Sequence, residues 1–470
     1  MPQLAAHTSS ALPMAGSPAE HTISSVHKRP APGADEEGSS ELPGRKRPAL
    51  AGDGAAATVA EATGLARILR PPHSAGRLEE LAARLREGLL VSFPTETVYG
   101  LGANGLDAQA VLGIFEAKGR PLSDPCILHV SAAKEAERLL DLGHSERAVF
   151  NTLAAACWPG PLSIVGKAKA VVPPEVTAST GFVAVRCPDH ALARQLIAAA
   201  GVPLAAPSAN RFGHISPTLP EHVLEDLGNV ESLRVLDGGA CGVGIESTVL
   251  RLDLTHGRAV VLRKGGVTKE RLQTILAEAQ DRGELASAVA VEYSERLAAS
   301  AEHLRQRETA CPQQAQESPG LLLRHYSPAV PSALLAPGLA EEASAGERPL
   351  EQRLEGSVLV DFGGSRRAAH DQFLKTFDLC SQRDSPELPG SVEEACSRAF
   401  AVLRAAEAFA LENGGCFICI ADFDAGRLGG VAEALHDRLF RAASGRRVAL
   451  RRTAGAGSGL HFVELCGGAP

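Results

Sequence analysis

Several stretches of this 470-residue chain hold hydroxyls, cations and glycines at spacings that suit a small anion. In Ser92-Phe93-Pro94-Thr95-Glu96-Thr97-Val98-Tyr99-Gly100-Leu101-Gly102 an apolar run ends in polar groups, and two glycines offer a sharp turn. Lys118-Gly119-Arg120-Pro121 sets a compact ammonium and a planar guanidinium around a glycine, a pair suited to polyphosphate. Cations closing a helix also favour its macrodipole, so this motif alone is weak. Ala206-Pro207-Ser208-Ala209-Asn210 offers Ser208 and Asn210 after a short strand, and Ser216 and Thr218 extend the polar edge. Gly244-Ile245-Glu246-Ser247-Thr248 and Arg263-Lys264-Gly265 repeat the style. Arg186 ends the apolar strand Val183 to Cys187, where a guanidinium is expensive to bury without an anion. Spacing leaves that anion open between Glu96, Glu246 and a substrate carboxylate. His129, in Ile127-Leu128-His129-Val130, reads from spacing as a core histidine. No P-loop, nucleophile elbow or His-Glu-x-x-His motif is present. These residues therefore point to a phosphorylated ligand and not to covalent nucleophilic catalysis.

The elements that must position these groups alternate between strand and helix. Helices are predicted over 77–87, 108–118, 148–156 and 190–200. Strands are predicted over 89–93, 126–130, 162–165, 183–187, 204–206, 235–237, 247–252 and 259–263. This is an α/β domain, and the short gaps between the late strands make its sheet mixed. Residues 1–64 are rich in Ala, Pro, Gly and Ser and read as a disordered tail. Its basic clusters Lys28-Arg29 and Arg45-Lys46-Arg47 read as solvated charge rather than a nuclear import signal. The catalytic domain spans 65–280, and 281–330 is a linker whose first part reads as helical and exposed. A smaller α/β domain covers 331–470, with strands over 357–362 and 416–421, helices over 393–412 and 431–443, and a loop over 336–353.

Composition narrows the classes further. The formal charge is -8, with 44% hydrophobic and 4% aromatic residues. Residues 65–275 carry 22 Lys and Arg against 21 Asp and Glu, which disfavours a nucleic-acid binder, as does the scarcity of stacking aromatics. No apolar run reaches bilayer length, and the N-terminus lacks a signal-peptide core. Ten scattered cysteines read as reduced thiols of a cytoplasmic protein, with Cys416 and Cys419 as core strand residues rather than metal ligands.

Taken in order, the motifs resemble those of the YrdC-type threonylcarbamoyl-AMP synthases in their long, two-domain form. The matching pieces are PTETVYGLG (94–102), KGRP (118–121), WPGPL (158–162), AVRCP (184–188), APSAN (206–210), GIEST (244–248) and LRKG (262–265). Ser318-Pro319-Gly320 through Arg324-His325-Tyr326-Ser327-Pro328 looks like the family's interdomain signature. The resemblance implies a twisted mixed sheet with a concave ligand groove. It implies synthesis of threonylcarbamoyl-adenylate and pyrophosphate from L-threonine, bicarbonate and ATP with Mg²⁺. A downstream threonylcarbamoyl-transferase complex would then modify tRNA. Carried over, Thr95, His129, Arg186 and Ser247 would hold threonine, with Tyr99 and Ala206 walling its pocket. Lys118, Arg120, Ser208, Asn210, Ser216, Arg263, His325 and Tyr326 would surround ATP, with Lys118, Arg120 and Arg186 in the catalytic step. Phe182 stands where many members carry threonine, and Leu321-Leu322-Leu323 replaces a more polar run. The linker is expected to act as a lid whose leucines dock on the first domain. An RNA-binding protein using the groove without turnover is the alternative. A carbamoyl-adenylate domain of hydrogenase maturation would need acylphosphatase and zinc-finger modules, which the sequence lacks.

Overall fold

The computed structural model describes residues 66–299, 301–310, 314–339, 348–350, 352–381, 391–452 and 460–465. The tail expected over 1–64 lies outside the described residues. The first sheet begins with Arg67–Leu69 (β1), Val91–Phe93 (β2), Gly100–Asn104 (β3), Ile127–His129 (β4) and Leu162–Lys167 (β5). It continues with Phe182–Arg186 (β6), Leu204–Ala205 (β7), Arg234–Leu236 (β8), Thr248–Asp253 (β9), Arg258–Arg263 (β10) and Ala290–Tyr293 (β11). Their order is β1-β8-β2-β3-β7-β4-β6-β5-β9-β10-β11. The sheet is mixed: β4 runs parallel to β6 and β5 to β9, whereas β5–β6 and β9–β10 are antiparallel.

Local chemistry explains the covering helices. Ala75–Arg86 (α1) starts at Ser74, whose hydroxyl accepts from Arg77 N at 3.2 Å, and it buries Leu78, Leu81, Ala82 and Leu85. Ala108–Lys118 (α2) starts at Asp107, which accepts from Gln109 N at 2.9 Å, and ends on Gly119 at φ 62. Helix capping thus hands the chain directly to Arg120.

Two expectations, one for the first domain and one for the linker, need correction. Gly100 and Gly102 do not make a turn. They lie in β3, antiparallel to β2, because a Cβ on Gly102 would stand 2.7 Å from the Phe93 ring. The glycines make room for an aromatic from the neighbouring strand. The stretch after 281 is not simply an exposed helix either. Ala290–Tyr293 adds to the sheet as β11, parallel to β10, before the helix Ala301–Ala310.

The second sheet holds Ser332–Leu339 (β12), Arg348–Pro349 (β13), Ser357–Asp361 (β14), Lys375–Asp378 (β15), Phe417–Ala421 (β16), Arg447–Arg452 (β17) and Leu460–Glu464 (β18). The loop expected from 336 therefore starts as strand, since β12 pairs with both β16 and β17. Cys419 is a buried strand residue as expected, but Cys416 is exposed and precedes β16. Val392–Glu412 (α3) and Ala432–Ala442 (α4) pack toward the first domain. Val98, Ile215 and Ile245 of that domain share one apolar core with Phe400 and Leu403 of α3 and Leu435 of α4.

The seam between the sheets is polar at its edge. Arg404 of α3 pairs with Asp226 at 2.7 Å and Glu225 at 2.9 Å. His214 lies between Asp226 and Glu407, with ring nitrogens 2.9 Å from each carboxylate. Burial opposes the imidazolium, but hydrogen bonds to Asp226 and Glu407 outweigh it and raise the His214 pKa. Gly244 is the tightest point, at φ +74, where a Cβ would stand 2.4 Å from Ser397 Cα and 2.5 Å from Cys396 O.

Two outcomes follow from the seam. Gly244→Ala should destabilise by at least about 3 kcal/mol, from left-handed strain plus a backbone clash. Gly239→Ala should cost only about 1–2 kcal/mol in the same urea titration, because φ is +77 there with nothing within 4 Å. Similar losses in both would remove the seam contact from the account. A raised folded pKa makes the His214 contribution complete below the unfolded value near ~6.5 and lost as pH climbs through the folded value. His214→Gln should therefore flatten the decline in unfolding midpoint as pH rises above about 6.5. An unchanged slope would count against it.

Candidate active site

The register of the first sheet gathers the site. His129 is the cross-strand partner of Arg186 in β4–β6, and Val249 of β9 faces Arg263 of β10. A cavity of about 50 Å³ results. Thr95, Arg120, His129, Arg186, Ala206, Ser208, Ser247, Arg263, His325 and Tyr326, the residues that the family resemblance placed around threonine and ATP, all line it. Thr97, Val98, Gly100, Ile127, Pro207, Glu246, Pro319 and Gly320 complete the wall.

Each polar group is held from behind. The Thr95 hydroxyl donates to Val98 O at 2.6 Å and accepts from Thr97 N at 3.2 Å, so the 95–98 turn is stitched by its own first side chain. Ser247 shares a 2.8 Å hydrogen bond with Ser163, a buried residue that sequence reasoning missed. Arg263 donates to Ser247 O at 2.9 Å and to Pro319 O at 3.2 Å, tying β10 to the linker. Arg120 donates to Pro125 O at 2.7 Å and pairs with Asp124 at 3.2 Å. Arg186 finds an internal partner among the alternatives left open: Nη2 lies 2.7 Å from Glu96 Oε1, and Nε donates to Gly160 O at 3.3 Å. Burial and the neighbouring Arg186 push His129 down to about 3, so its imidazole is neutral. Burial, then Arg120 and Lys118, likewise hold His325 well below its usual range. Asp124 and Glu96 pair with Arg120 and Arg186, whereas Arg263 is met by carbonyl and hydroxyl oxygens, which leaves a guanidinium charge facing the cavity that favours an anionic ligand.

Four assigned residues are turned to other work. Tyr99 does not wall the pocket. Its hydroxyl donates to Gly239 O at 2.8 Å and accepts from Gly238 N at 3.1 Å, and its ring is in the main core. Burial pushes its pKa up. Lys118 is fully buried beneath the 206–210 loop, donating to Ser208 O at 2.6 Å and also to Asn210 O. Burial first, then Arg120, lowers its pKa to about 7. Asn210 donates to Arg211 O at 2.7 Å and His214 O at 2.8 Å. Ser216 donates to Glu246 at 2.7 Å. Phe182 is 44% exposed at the far end of β6 from Arg186 and outside the cavity.

The linker closes one side. Gly320 at φ +77 lets the Tyr326 hydroxyl approach, since a Cβ there would meet it at 2.5 Å. His325 packs edge-on against Tyr326 at 4.1 Å, and Tyr326 stacks on Phe400 at 5.4 Å. Leu323 joins the shared interdomain core, and Arg441 of α4 donates to Leu321 O and Leu322 O at 2.8 and 2.9 Å. The leucines are therefore fastened largely from the C-terminal domain and not from the first domain alone. A carbonyl-clamping arginine gives no period or spacing signal, so the sequence could not announce it.

Comparison with known proteins places the chain among relatives of known name. A family model for Sua5, YciO and YrdC proteins, described as "Telomere recombination", matches residues 83–265. One described as "Threonylcarbamoyl-AMP synthase, C-terminal domain" matches residues 267–444. Threonylcarbamoyl-AMP synthases of Pyrococcus abyssi and Bacillus subtilis are 46% and 45% identical over 208 and 202 residues, each match covering 43% of this chain. The chain spans 59% and 56% of those two relatives. The synthase of Chromohalobacter salexigens is 33% identical over 40% of this chain and 97% of its own length. The crystal structure of Pyrococcus abyssi Sua5 complexed with L-threonine superposes with a TM-score of 0.60 at 29% identity, covering 82% of this chain and 99% of that one.

Lys118→Met should lower stability by about 2–4 kcal/mol in urea unfolding, because two carbonyls lose their donor and one is fully buried. A variant as stable as wild type would mean that Lys118 is free to serve a ligand instead.

Proposed function

The chain belongs to the threonylcarbamoyl-AMP synthase family, and from that premise we propose that it makes threonylcarbamoyl-adenylate and pyrophosphate from L-threonine, bicarbonate and ATP. The observation that carries the reading is the single cavity joining Thr95, His129, Arg186 and Ser247 to Arg120, Ser208, Arg263 and the linker pair His325–Tyr326. Bicarbonate takes a proton and loses water to give carbon dioxide, and threonine's amine captures it as a carbamate and releases a proton. A carbamate oxygen then attacks the α-phosphorus of ATP in line, and pyrophosphate leaves. Both reactants are anions, so positioning beside fixed cations supplies most of the catalysis. Arg186 meets the threonine carboxylate, and Thr95, neutral His129 and Ser247 hold its polar groups. Arg120, Arg263 and Ser208 face the nucleotide.

The cavity, at about 50 Å³, is far smaller than the ~300 Å³ minimum of most ligand pockets. ATP therefore enters when the 318–327 segment lifts, and the segment closes again to keep water from the adenylate. The two carboxylates beside the cavity are committed to arginines: Glu96 to Arg186 and Glu246 to Arg438. Among the described residues no group of three His, Cys, Asp or Glu side chains could hold a metal ion. The donor set does not fit a protein-held Mg²⁺. A magnesium ion arriving on ATP counts as part of the substrate.

The product would pass to a threonylcarbamoyl-transferase complex acting on tRNA. The described cysteines are free thiols, which fits a reducing cytoplasm. Among the described residues no helix is long and apolar enough to cross a membrane.

Purified protein should release pyrophosphate from ATP only when threonine and bicarbonate are both present. Arg186→Ala should raise the threonine KM by about 100-fold or more while changing ATP binding little. Threonine amide serving as well as threonine would remove Arg186 from the carboxylate. Salt-sensitive RNA binding without any turnover would favour the RNA-binding alternative.

A further inference from the structure

Arg438 of α4 is a fully buried charged side chain, with 0% exposure. Its Nε donates to Glu246 Oε2 at 2.6 Å, Nη2 to Lys264 O at 2.7 Å and Nη1 to Asp437 Oδ2 at 2.7 Å. Its guanidinium carbon stands 5.1 Å from the centre of the Tyr326 ring. The other oxygen of Glu246 accepts from Ser216. Arg438 belongs to the C-terminal domain, yet Glu246 and Tyr326 are both walls of the first domain's cavity. Lys264 O belongs to the turn after Arg263. That turn is packed so closely that a Cβ on Gly265 would lie 2.2 Å from Thr248 N and 2.5 Å from Glu246 O. One planar fork thus holds a cavity carboxylate, the turn behind it and the ring of the latch.

Stability alone gives little reason for this arrangement. A buried ion pair is often replaceable by apolar side chains without loss of stability, because desolvation consumes most of its attraction. The domains already share an apolar core and a second ionic seam at Arg404. What apolar side chains could not reproduce is direction: a carboxylate held by donors on both oxygens keeps one orientation.

We propose that Arg438 is a positioning residue for the reaction, a guanidinium supplied by the C-terminal domain that fixes the Glu246 carboxylate in the cavity wall and the Tyr326 ring in the latch. This rests on the synthase reading of the cavity. It gives the second domain a task inside the first domain's site: the cavity is completed only when α4 is docked. A domain clamp with no influence on the cavity is the competing role, and Arg404 provides the comparison, since its partners Asp226, Glu225 and Ile215 O lie outside the cavity.

The test uses the full chain and reads pyrophosphate release, the KM for ATP and for threonine, and Tm. Arg438→Met is expected to lower kcat about 100-fold and to raise the ATP KM. Arg438→Lys keeps the charge but loses the fork, and is expected to fold with a loss of about 10-fold. Arg404→Met is expected to lower Tm at least as much as Arg438→Lys while kcat stays within about 3-fold of wild type. Wild-type kcat and KM in Arg438→Lys would overturn the proposal. So would a loss of turnover in Arg404→Met that matches the Arg438 variants, since that is the behaviour of a clamp. If Arg438→Met does not fold, the lysine variant and Arg404→Met decide between the two roles. A wild-type protein whose pyrophosphate release does not need threonine and bicarbonate would overturn the functional reading, and this proposal with it. Turnover in wild type with an indifferent Arg438 would overturn the proposal alone.

Discussion

Burying positive charge around a very small space is the constraint on which the rest of this structure depends. Arg120, Arg186, Arg263 and Arg438 are each less than about a tenth exposed, and they converge on one cavity or its wall. A guanidinium without a partner in such a place would cost several kcal/mol. Each is therefore met by a group from elsewhere in the chain: Asp124 for Arg120, Glu96 for Arg186, Ser247 O and Pro319 O for Arg263, Glu246 for Arg438. The pairing explains why a mixed sheet with its strands out of chain order suits the site. In this fold Arg186 at the end of β6 reaches Glu96 in the turn after β2, and Arg263 of β10 reaches Pro319 O of the linker.

The same constraint accounts for the second domain's position. The linker carbonyls are hydrogen-bonded by Arg441, and the Tyr326 ring lies between first-domain walls and the Phe400 side chain. Burial pushes the Tyr326 pKa up to about 12, so the latch presents a neutral phenol beside Arg263 and Arg438. Asp437, next to Arg438, shows the balance in the opposite direction. Burial opposes its ionisation, yet Arg441 and Arg438 bring its carboxyl down to about 2. Charge in this interface is compensated pair by pair, which lets two domains meet closely.

Much of the fold was legible because it is encoded locally. Ser74 and Asp107 cap their helices, and apolar runs near residues 127, 162, 183 and 260 became strands within one or two residues of their expected ends. The misreadings share one cause: a local pattern was overruled by a distant partner. Gly100 and Gly102 carry the composition of a turn, but the Phe93 ring packs where their side chains would be. Ala290–Tyr293 has a short, half-polar pattern and becomes strand because β10 offers an unpaired edge. Tyr99 sits inside the most distinctive motif of the chain and yet faces Gly238 and Gly239.

For the site, residue types alone pointed to a phosphorylated ligand and left His129 as a core residue, and it was the family resemblance of the ordered motifs that grouped ten of the cavity's residues. Direction was beyond that reach. Whether Lys118 faces a ligand or the carbonyls of Ser208 and Asn210 depends on which loop crosses above it. Whether Arg186 pairs with Glu96 or Glu246 depends on the sheet's register, and Glu246 is taken by an arginine 192 positions later. The sequence by itself determined the chemical inventory and the local elements, because hydropathy period, capping and turn chemistry act over a few residues. Only the tertiary structure decided the partners, because hydrogen bonds and ion pairs are formed over about 3 Å between groups whose separation along the chain carries no information about that distance.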